Sequence, residues 1–141
     1  MFSKPHAGWT NIKIGDYRGN GSYLTDIPLD FLNAAKHALK NNVPFVLFID
    51  EEGIQSYITS FHDETFINRT TDTIETYYSQ MGFKDLISEG LRDIDDNIAD
   101  WVRFAPVTEF FNYNDEELKA RTHLFHELMF EICLLLSTGK I

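Results

Sequence analysis

Cysteine is almost absent from this chain of 141 residues, since Cys133 is the only one. No internal disulfide can form, which fits a reducing compartment, and we expect a cytoplasmic protein. Long apolar runs are missing as well, because none approaches the roughly 18 residues that cross a bilayer. The first ten residues lack the apolar core of a secretory signal. The sequence therefore predicts neither a membrane-spanning segment nor secretion.

Positive charge is also scarce. Twelve lysines and arginines face 22 aspartates and glutamates, which gives a formal net charge of -10. A surface of this sign repels nucleic-acid phosphates and anionic lipid headgroups, so we expect no binding to nucleic acids or membranes. It either keeps the protein soluble or attracts a basic partner. With 43% hydrophobic residues, residues 1–141 are expected to form a single globular domain.

The N-terminal part predicts a hairpin followed by a helix. Apolar residues at 12–14 and 23–24 flank a glycine-rich stretch at 15–21, which indicates two strands around a flexible turn. Asp26 is suited to cap a helix and is followed by a proline, which favours the first helical turn. This helix is expected to end at 41–42.

The middle of the chain predicts an antiparallel sheet. Residues 43–49 are apolar throughout, which indicates a central strand covered on both faces. Residues 54–61 and 65–68 indicate two further strands of a meander, while residues 72–80 fit either a strand or a short helix. We expect an α+β fold with an antiparallel sheet of about four to six strands.

Two helices are predicted to follow the sheet, making three main helices in all. Apolar residues recur every three or four positions from Phe83 to Val102, which indicates one helix of roughly six turns, ended by Pro106. The last helix is capped by Asn114 or Asp115 and has acidic residues in its first turn.

The last helix is apolar on two sides. Most of its apolar residues share one face, but Phe130 and Leu134 project from nearly the opposite side. Such a helix is buried on both sides, either inside the fold or against a second subunit. The pattern therefore leaves open a homodimer through Phe130 and Leu134. Cys133, in the same helix, is expected to pack in the core or at a subunit interface.

The first of the two C-terminal helices carries a row of carboxylates opposite its apolar stripe. Neighbouring members lie three or four residues apart and repel one another by ~0.2–0.5 kcal/mol per pair. Such a row is either a solvated face or a docking surface for a basic partner. The candidate partner-binding residues are Asp85, Glu89, Asp93, Asp96 and Asp100.

Histidines with neighbouring acids offer an alternative in which the chain is a small enzyme or a ligand- or metal-binding domain. His62 precedes Asp63 and Glu64 in a predicted strand turn, near a second turn that contains Asp50, Glu51 and Glu52. Paired carboxylates there do acid–base work if burial separates their pKa values, and are otherwise solvated turn residues. His123 and Glu127 lie one helical turn apart, but the zinc-protease pattern needs a second histidine where Phe130 stands. Because no motif is complete, we expect no catalytic residue, no metal and no cofactor.

Three segments carry a family likeness. The phrases IKIGD (12–16), SYLTDIPLDFL (22–32) and FIDEEG (48–53) together resemble small acidic α+β proteins of bacteria, some of which are immunity proteins that neutralise toxins. The resemblance implies a non-enzymatic, immunity-like protein-binding module, and it assigns no role to individual residues. Combined with the acidic row, it predicts a module that offers an acidic helix face to a basic partner.

Overall fold

Six strands and four helices follow one another along residues 1–105 and 112–138, which are the residues that the structure, a computed structural model, describes. The elements are β1 (Trp9–Ile14), β2 (Tyr17–Ser22), α1 (Ile27–Asn41), β3 (Phe45–Asp50), β4 (Gln55–Phe61), β5 (Glu64–Thr70), β6 (Ile74–Ser79), α2 (Phe83–Asp96), α3 (Ile98–Trp101) and α4 (Asp115–Ser137). The predicted α+β class is confirmed. The strands form two antiparallel sheets, a hairpin of β1 and β2 and a four-stranded meander in the order β3-β4-β5-β6.

The glycine-rich stretch is part of a strand, so its prediction as a flexible turn was wrong. Only Gly15 and Asp16 connect β1 to β2, and Gly15 has a φ of 56°. A Cβ at Gly19 would collide with the hydroxyl of Tyr17, and one at Gly21 would collide with Ile27. Glycine is needed at these two positions because neighbouring side chains occupy the space that a Cβ atom would fill.

Helix α1 begins and ends as predicted. The side chain of Asp26 accepts a hydrogen bond from the Leu29 amide at 3.4 Å, which satisfies one of the free amides of the first turn. Asn42 adopts the left-handed conformation with a φ of 51°, a common way to end a helix.

Strand β3 lies at one end of the four-stranded sheet, so its prediction as a central strand was wrong. It pairs with β4 only. Phe45, Leu47 and Ile49 are buried on the side that packs against α1, which we call the inner face of the sheet. Val46 is exposed and Phe48 is half-buried on the opposite side, the outer face. Residues 43–49 are apolar throughout because β3 carries apolar side chains on its uncovered outer face as well as on its buried inner face.

The predicted six-turn helix is interrupted at Asn97, whose φ of -128° and ψ of 37° are not helical. Its apolar stripe continues across the break, because Ile94 before it and Trp101 after it are both buried. The predicted stop at Pro106 lies outside the described residues. Residues 72–80, whose sequence fits either a strand or a short helix, contain the strand β6.

The core lies between the inner face, the hairpin and the helices. Phe31 of α1 meets Phe45 of β3 and Phe2 near the N-terminus at centroid distances of 5.5 and 5.4 Å. Arg121 of α4 forms two hydrogen bonds, of 2.7 and 2.8 Å, with the carboxylate of Asp26, which ties α4 to the start of α1. Within the described part of the chain, no helix combines the length and apolarity that crossing a bilayer requires.

Candidate functional site

The predicted acidic helix face is divided in the structure. Asp85 and Asp96 are exposed. The other three carboxylates contact the N-terminal segment. The carboxylate of Asp100 lies 3.7 Å from the ammonium nitrogen of Lys4. Three of the five carboxylates that were predicted to bind a partner therefore already lie next to a positive group of the chain itself.

The strongest of these contacts is made by the N-terminal amine. The Met1 nitrogen lies 2.8 Å from Oε1 of Glu89 and 2.9 Å from Oδ2 of Asp93. Burial lowers the pKa of this amine, but its hydrogen bonds with the two carboxylates and their charges outweigh burial, so that the pKa is raised. The contact therefore stabilises the fold while the amine is charged, and its contribution is lost as the pH rises through the raised pKa.

The histidines and their neighbouring acids do not converge on a site. His62 is exposed in the turn between β4 and β5, with a φ of 52° and its ring 4.0 Å from that of Phe61. On α4, Nε2 of His123 lies 3.0 Å from Oε1 of Glu127, and both side chains are largely exposed. Among residues 1–105 and 112–138 no three potential metal ligands lie together.

Glu51 belongs to the turn that was expected to lie near His62 with solvated acids, and this expectation was wrong: its carboxylate is buried, lies at the opposite end of the four-stranded sheet from His62 and connects the two sheets. Glu51 follows β3 and is only 8% exposed. Its oxygens accept hydrogen bonds from Ser56 Oγ (2.7 Å), the Asn20 amide (2.9 Å) and the Tyr17 hydroxyl (3.3 Å). The guanidinium of Arg69 lies 3.4 Å away and supplies the opposite charge. We call these five residues the Glu51 cluster.

The phenol of Tyr17 acts in this cluster as a neutral donor. Burial, followed by the charge of Glu51, raises its pKa to about 12, against the lowering effects of Ser56 and Arg69. The cluster thereby fastens the β1–β2 hairpin to three positions of the four-stranded sheet. Strand alternation could have revealed it, because Glu51 shares the parity of the buried Phe45, Leu47 and Ile49.

The outer face of the four-stranded sheet is exposed and rich in aromatic residues. Val46, Tyr57, Phe66 and Tyr78 are between 38% and 51% exposed. The rings of Phe66 and Tyr78 lie 5.2 Å apart on neighbouring strands, and those of Phe48 and Tyr57 lie 5.1 Å apart. Contiguous exposed apolar surface of this kind marks interaction sites in proteins.

No lysine or arginine of the sheet lies on this outer face. Between Lys40 and Lys84 the only basic residue is Arg69, and its side chain belongs to the Glu51 cluster on the inner face. Acidic residues stand at the two ends of the outer face, Asp50 at one end and Glu64 at the other. The face is therefore aromatic in its centre and acidic at its ends.

A pocket of about 350 Å³ opens at the Glu64 end of the outer face. Its lining residues are Pro44, Thr59, Phe61, His62, Asp63, Glu64 and Phe66. A second hollow of about 310 Å³ adjoins the same turn, and Asp63, Lys84 and Asp85 are among its lining residues. It connects the acidic end of the outer face to Asp85, the first residue of the predicted acidic row, and Lys84 adds a positive charge there.

The exposed side of α4 is the second apolar surface. Phe130 and Leu134 are 65% and 50% exposed, so of the two alternatives, burial inside the fold or against a second subunit, the first does not hold. Cys133 is also exposed and is not a core residue. Together with Met129, Phe130 and Cys133 line a groove of about 580 Å³ between α2 and α4. The homodimer alternative stays a prediction.

Fold and surface together define an α+β protein whose four-stranded sheet has a closed inner face and an open aromatic outer face. A comparison with known proteins adds no family: no family model fits the chain, and no curated protein or solved structure is significantly similar to it.

Proposed function

We propose that this chain is a non-enzymatic protein-binding module whose partner is a basic protein. The observation that carries the proposal is the outer face of the sheet, where Tyr57, Phe66 and Tyr78 are exposed side by side without a charged residue between them. The centres of protein interfaces are rich in aromatic residues and poor in charge, and tyrosine is enriched among the residues that dominate binding energy.

Charge supports a basic partner over other occupants of this face. The chain carries a net charge of -10, and the outer face has acids at both ends, so a basic protein would be attracted and oriented. A second copy packed face to face would bring like charges together at Asp50 and Glu64. Nucleic acids and anionic membranes would meet no cation on this face, although both require basic residues for binding.

The exposed members of the acidic row would add long-range attraction for a basic partner. Asp85 and Asp96 are exposed and would steer a basic partner, while Glu89, Asp93 and Asp100 share their charge with the N-terminal segment. An immunity-like role, in which the chain neutralises a basic toxin, is the form of the proposal that the sequence resemblance implies. A reducing compartment such as the cytoplasm suits it, because the exposed thiol of Cys133 would be prone to intermolecular disulfides elsewhere.

Selection of peptides from a random phage-displayed library on the purified chain tests this proposal. We expect the enriched peptides to contain arginine or lysine together with aromatic residues, and to bind more weakly as the salt concentration rises. The double variant Tyr57→Ser/Phe66→Ser should weaken their binding at least tenfold without unfolding the protein, since both residues lie on the exposed side of the sheet. The variant Phe130→Ser, which removes an even more exposed aromatic residue from α4, is the control for loss of an exposed ring elsewhere on the surface.

Three results would contradict the proposal: no enriched peptide, enriched peptides without an excess of basic residues, or equal binding to the sheet variant and the control.

A further variant tests the acidic row by itself. Asp85→Lys combined with Asp96→Lys should lower the association rate constant of the selected peptides severalfold and leave their dissociation rate constant almost unchanged, because exposed charges mainly change the rate at which two molecules meet. Glu89 and Asp93 are unsuited to this comparison, since changing either of them also disturbs the contact with the Met1 amine.

A further inference from the structure

We propose that the pocket at the Glu64 end of the outer face receives an arginine side chain of the basic partner. The inference rests on the proposed function and adds to it the chemical group that is recognised. The pocket lies where the aromatic centre of the face meets its acidic end, with Phe61 and Phe66 among its lining residues.

The aromatic walls suit a planar cation. Phe61 and Phe66 lie on neighbouring strands of the outer face, together with Thr59, which is the cross-strand partner of Phe66. A guanidinium stacks on aromatic rings and is attracted by their electron-rich faces, and it is less strongly hydrated than an ammonium. The pocket of about 350 Å³ falls within the ~300–1,000 Å³ that is usual for small-ligand sites.

The carboxylates supply the opposite charge. Asp63 and Glu64 line the pocket and are exposed. Oε1 of Glu64 accepts a hydrogen bond from the Tyr78 hydroxyl at 3.4 Å, which holds this carboxylate beside Phe66. A carboxylate next to an aromatic ring offers a guanidinium a charge-assisted hydrogen bond and a stacking surface at once.

The turn that carries these groups is anchored to the fold on both sides. The carbonyl of His62 accepts the Phe83 amide at 2.9 Å, at the start of α2. The hydroxyls of Ser60 and Thr65 lie 2.7 Å apart and are buried, and the Thr65 hydroxyl donates to the Met81 carbonyl at 2.7 Å. A preformed pocket loses little conformational entropy when it is occupied.

The charges around the pocket select a cation, and the aromatic walls select arginine over lysine. No lysine or arginine lines the pocket, and its only ionisable residues are His62, Asp63 and Glu64. An acidic or phosphorylated side chain would meet two carboxylates there. An uncharged apolar side chain would use the aromatic walls but would leave the carboxylates without a partner.

Titration of the 15N-labelled chain with N-acetylarginine methylamide, followed by NMR, tests the inference. The matched ligand is N-acetylcitrulline methylamide, which has nearly the same shape without the charge. We expect saturable shift changes concentrated at residues 59–66, with a dissociation constant at least fivefold lower for the arginine ligand. Glu64→Gln should raise that constant at least threefold, whereas Asp72→Asn, which removes an exposed acid outside the pocket, should leave it unchanged.

Equal affinity for both ligands, or shift changes spread over the acidic surface, would overturn the arginine assignment. Either result can occur while peptides still bind the outer face, so failure of this inference is distinguishable from failure of the proposed function. If peptides selected on the protein bind the outer face but contain lysine and no arginine, the assignment is likewise wrong and the protein-binding proposal stands.

Discussion

Replacing Glu51 by glutamine should destabilise the protein more than any other single exchange of a carboxylate for an amide in the described chain. Glu51 is the only carboxylate there that is buried, and it holds the hairpin to the four-stranded sheet through Tyr17 and Asn20. Glutamine has almost the same size, so the packing of the site is kept. What changes is the charge and the pattern of donors and acceptors.

The magnitude follows from the partners that are left behind. Glutamine presents an amide group where two acceptor oxygens stood, so one of the donors that now bind Glu51 loses its acceptor, and Arg69 loses its counter-charge. Removing one partner of a buried ion pair costs about 3–5 kcal/mol. The Arg69 side chain is 22% exposed and can regain some hydration. We therefore expect a loss of about 3 kcal/mol, a large part of the roughly 5–15 kcal/mol that stabilises a typical domain.

Urea denaturation followed by circular dichroism measures this loss. Glu52→Gln is the matched control, because Glu52 is the next residue and is exposed, and it should change the free energy of unfolding by less than about 0.5 kcal/mol. Hydrogen exchange adds a local measurement, since the Asn20 amide donates to Glu51 and should lose protection in the variant. A loss below about 1 kcal/mol for Glu51→Gln would refute the structural role assigned to the cluster.

Two further predictions concern Tyr17 and the exposed side of α4. The pKa of Tyr17 is raised to about 12, so the folded state keeps the phenol neutral at pH values where the unfolded chain has already ionised. The free energy of unfolding should therefore fall by about 3 kcal/mol between pH 10 and 12, and Tyr17→Phe should not show this fall. An identical fall in both proteins would contradict the assignment. If Phe130 and Leu134 form the predicted homodimer, sedimentation equilibrium should show a dimer that high salt strengthens by screening the repulsion of two acidic chains. Changing both residues to serine should give a monomer, and a monomeric unmodified chain at high micromolar concentration would remove the dimer proposal.

Local signals predicted much of the fold. The cap at Asp26 and the end of α1 at Asn42 depend on short-range hydrogen bonds and backbone preferences, and both are present as expected. The errors occur where distant parts of the chain decide the outcome. The apolar run of β3 predicts burial on both faces, because nothing in this segment alone indicates that Val46 and Phe48 face outward without a covering layer.

The candidate site was less predictable than the fold. The acidic row is visible in the sequence as residues three and four apart, but the contact between Met1 and Glu89 joins positions 88 residues apart and leaves no local pattern. The aromatic outer face combines single residues from four strands, and only the pairing register brings Val46, Phe66 and Tyr78 into one row. Strand register is a property of the folded sheet, so neither feature could be read from one segment.

The distribution of charge over the sheet separates the inner face, which stabilises the fold, from the outer face, which is the proposed binding surface. Arg69, the only basic residue between Lys40 and Lys84, is used on the inner face to neutralise Glu51. Because side chains alternate along a strand, the inner face can hold the hairpin and the core while the outer face changes freely. Tyr57 and Phe66 remain 44% and 38% exposed in the isolated chain, so a large part of their aromatic surface does not contribute to folding, and the proposed contact with a partner would bury it. The same separation makes the outer face testable, since its residues can be replaced while the Glu51 cluster keeps the protein folded.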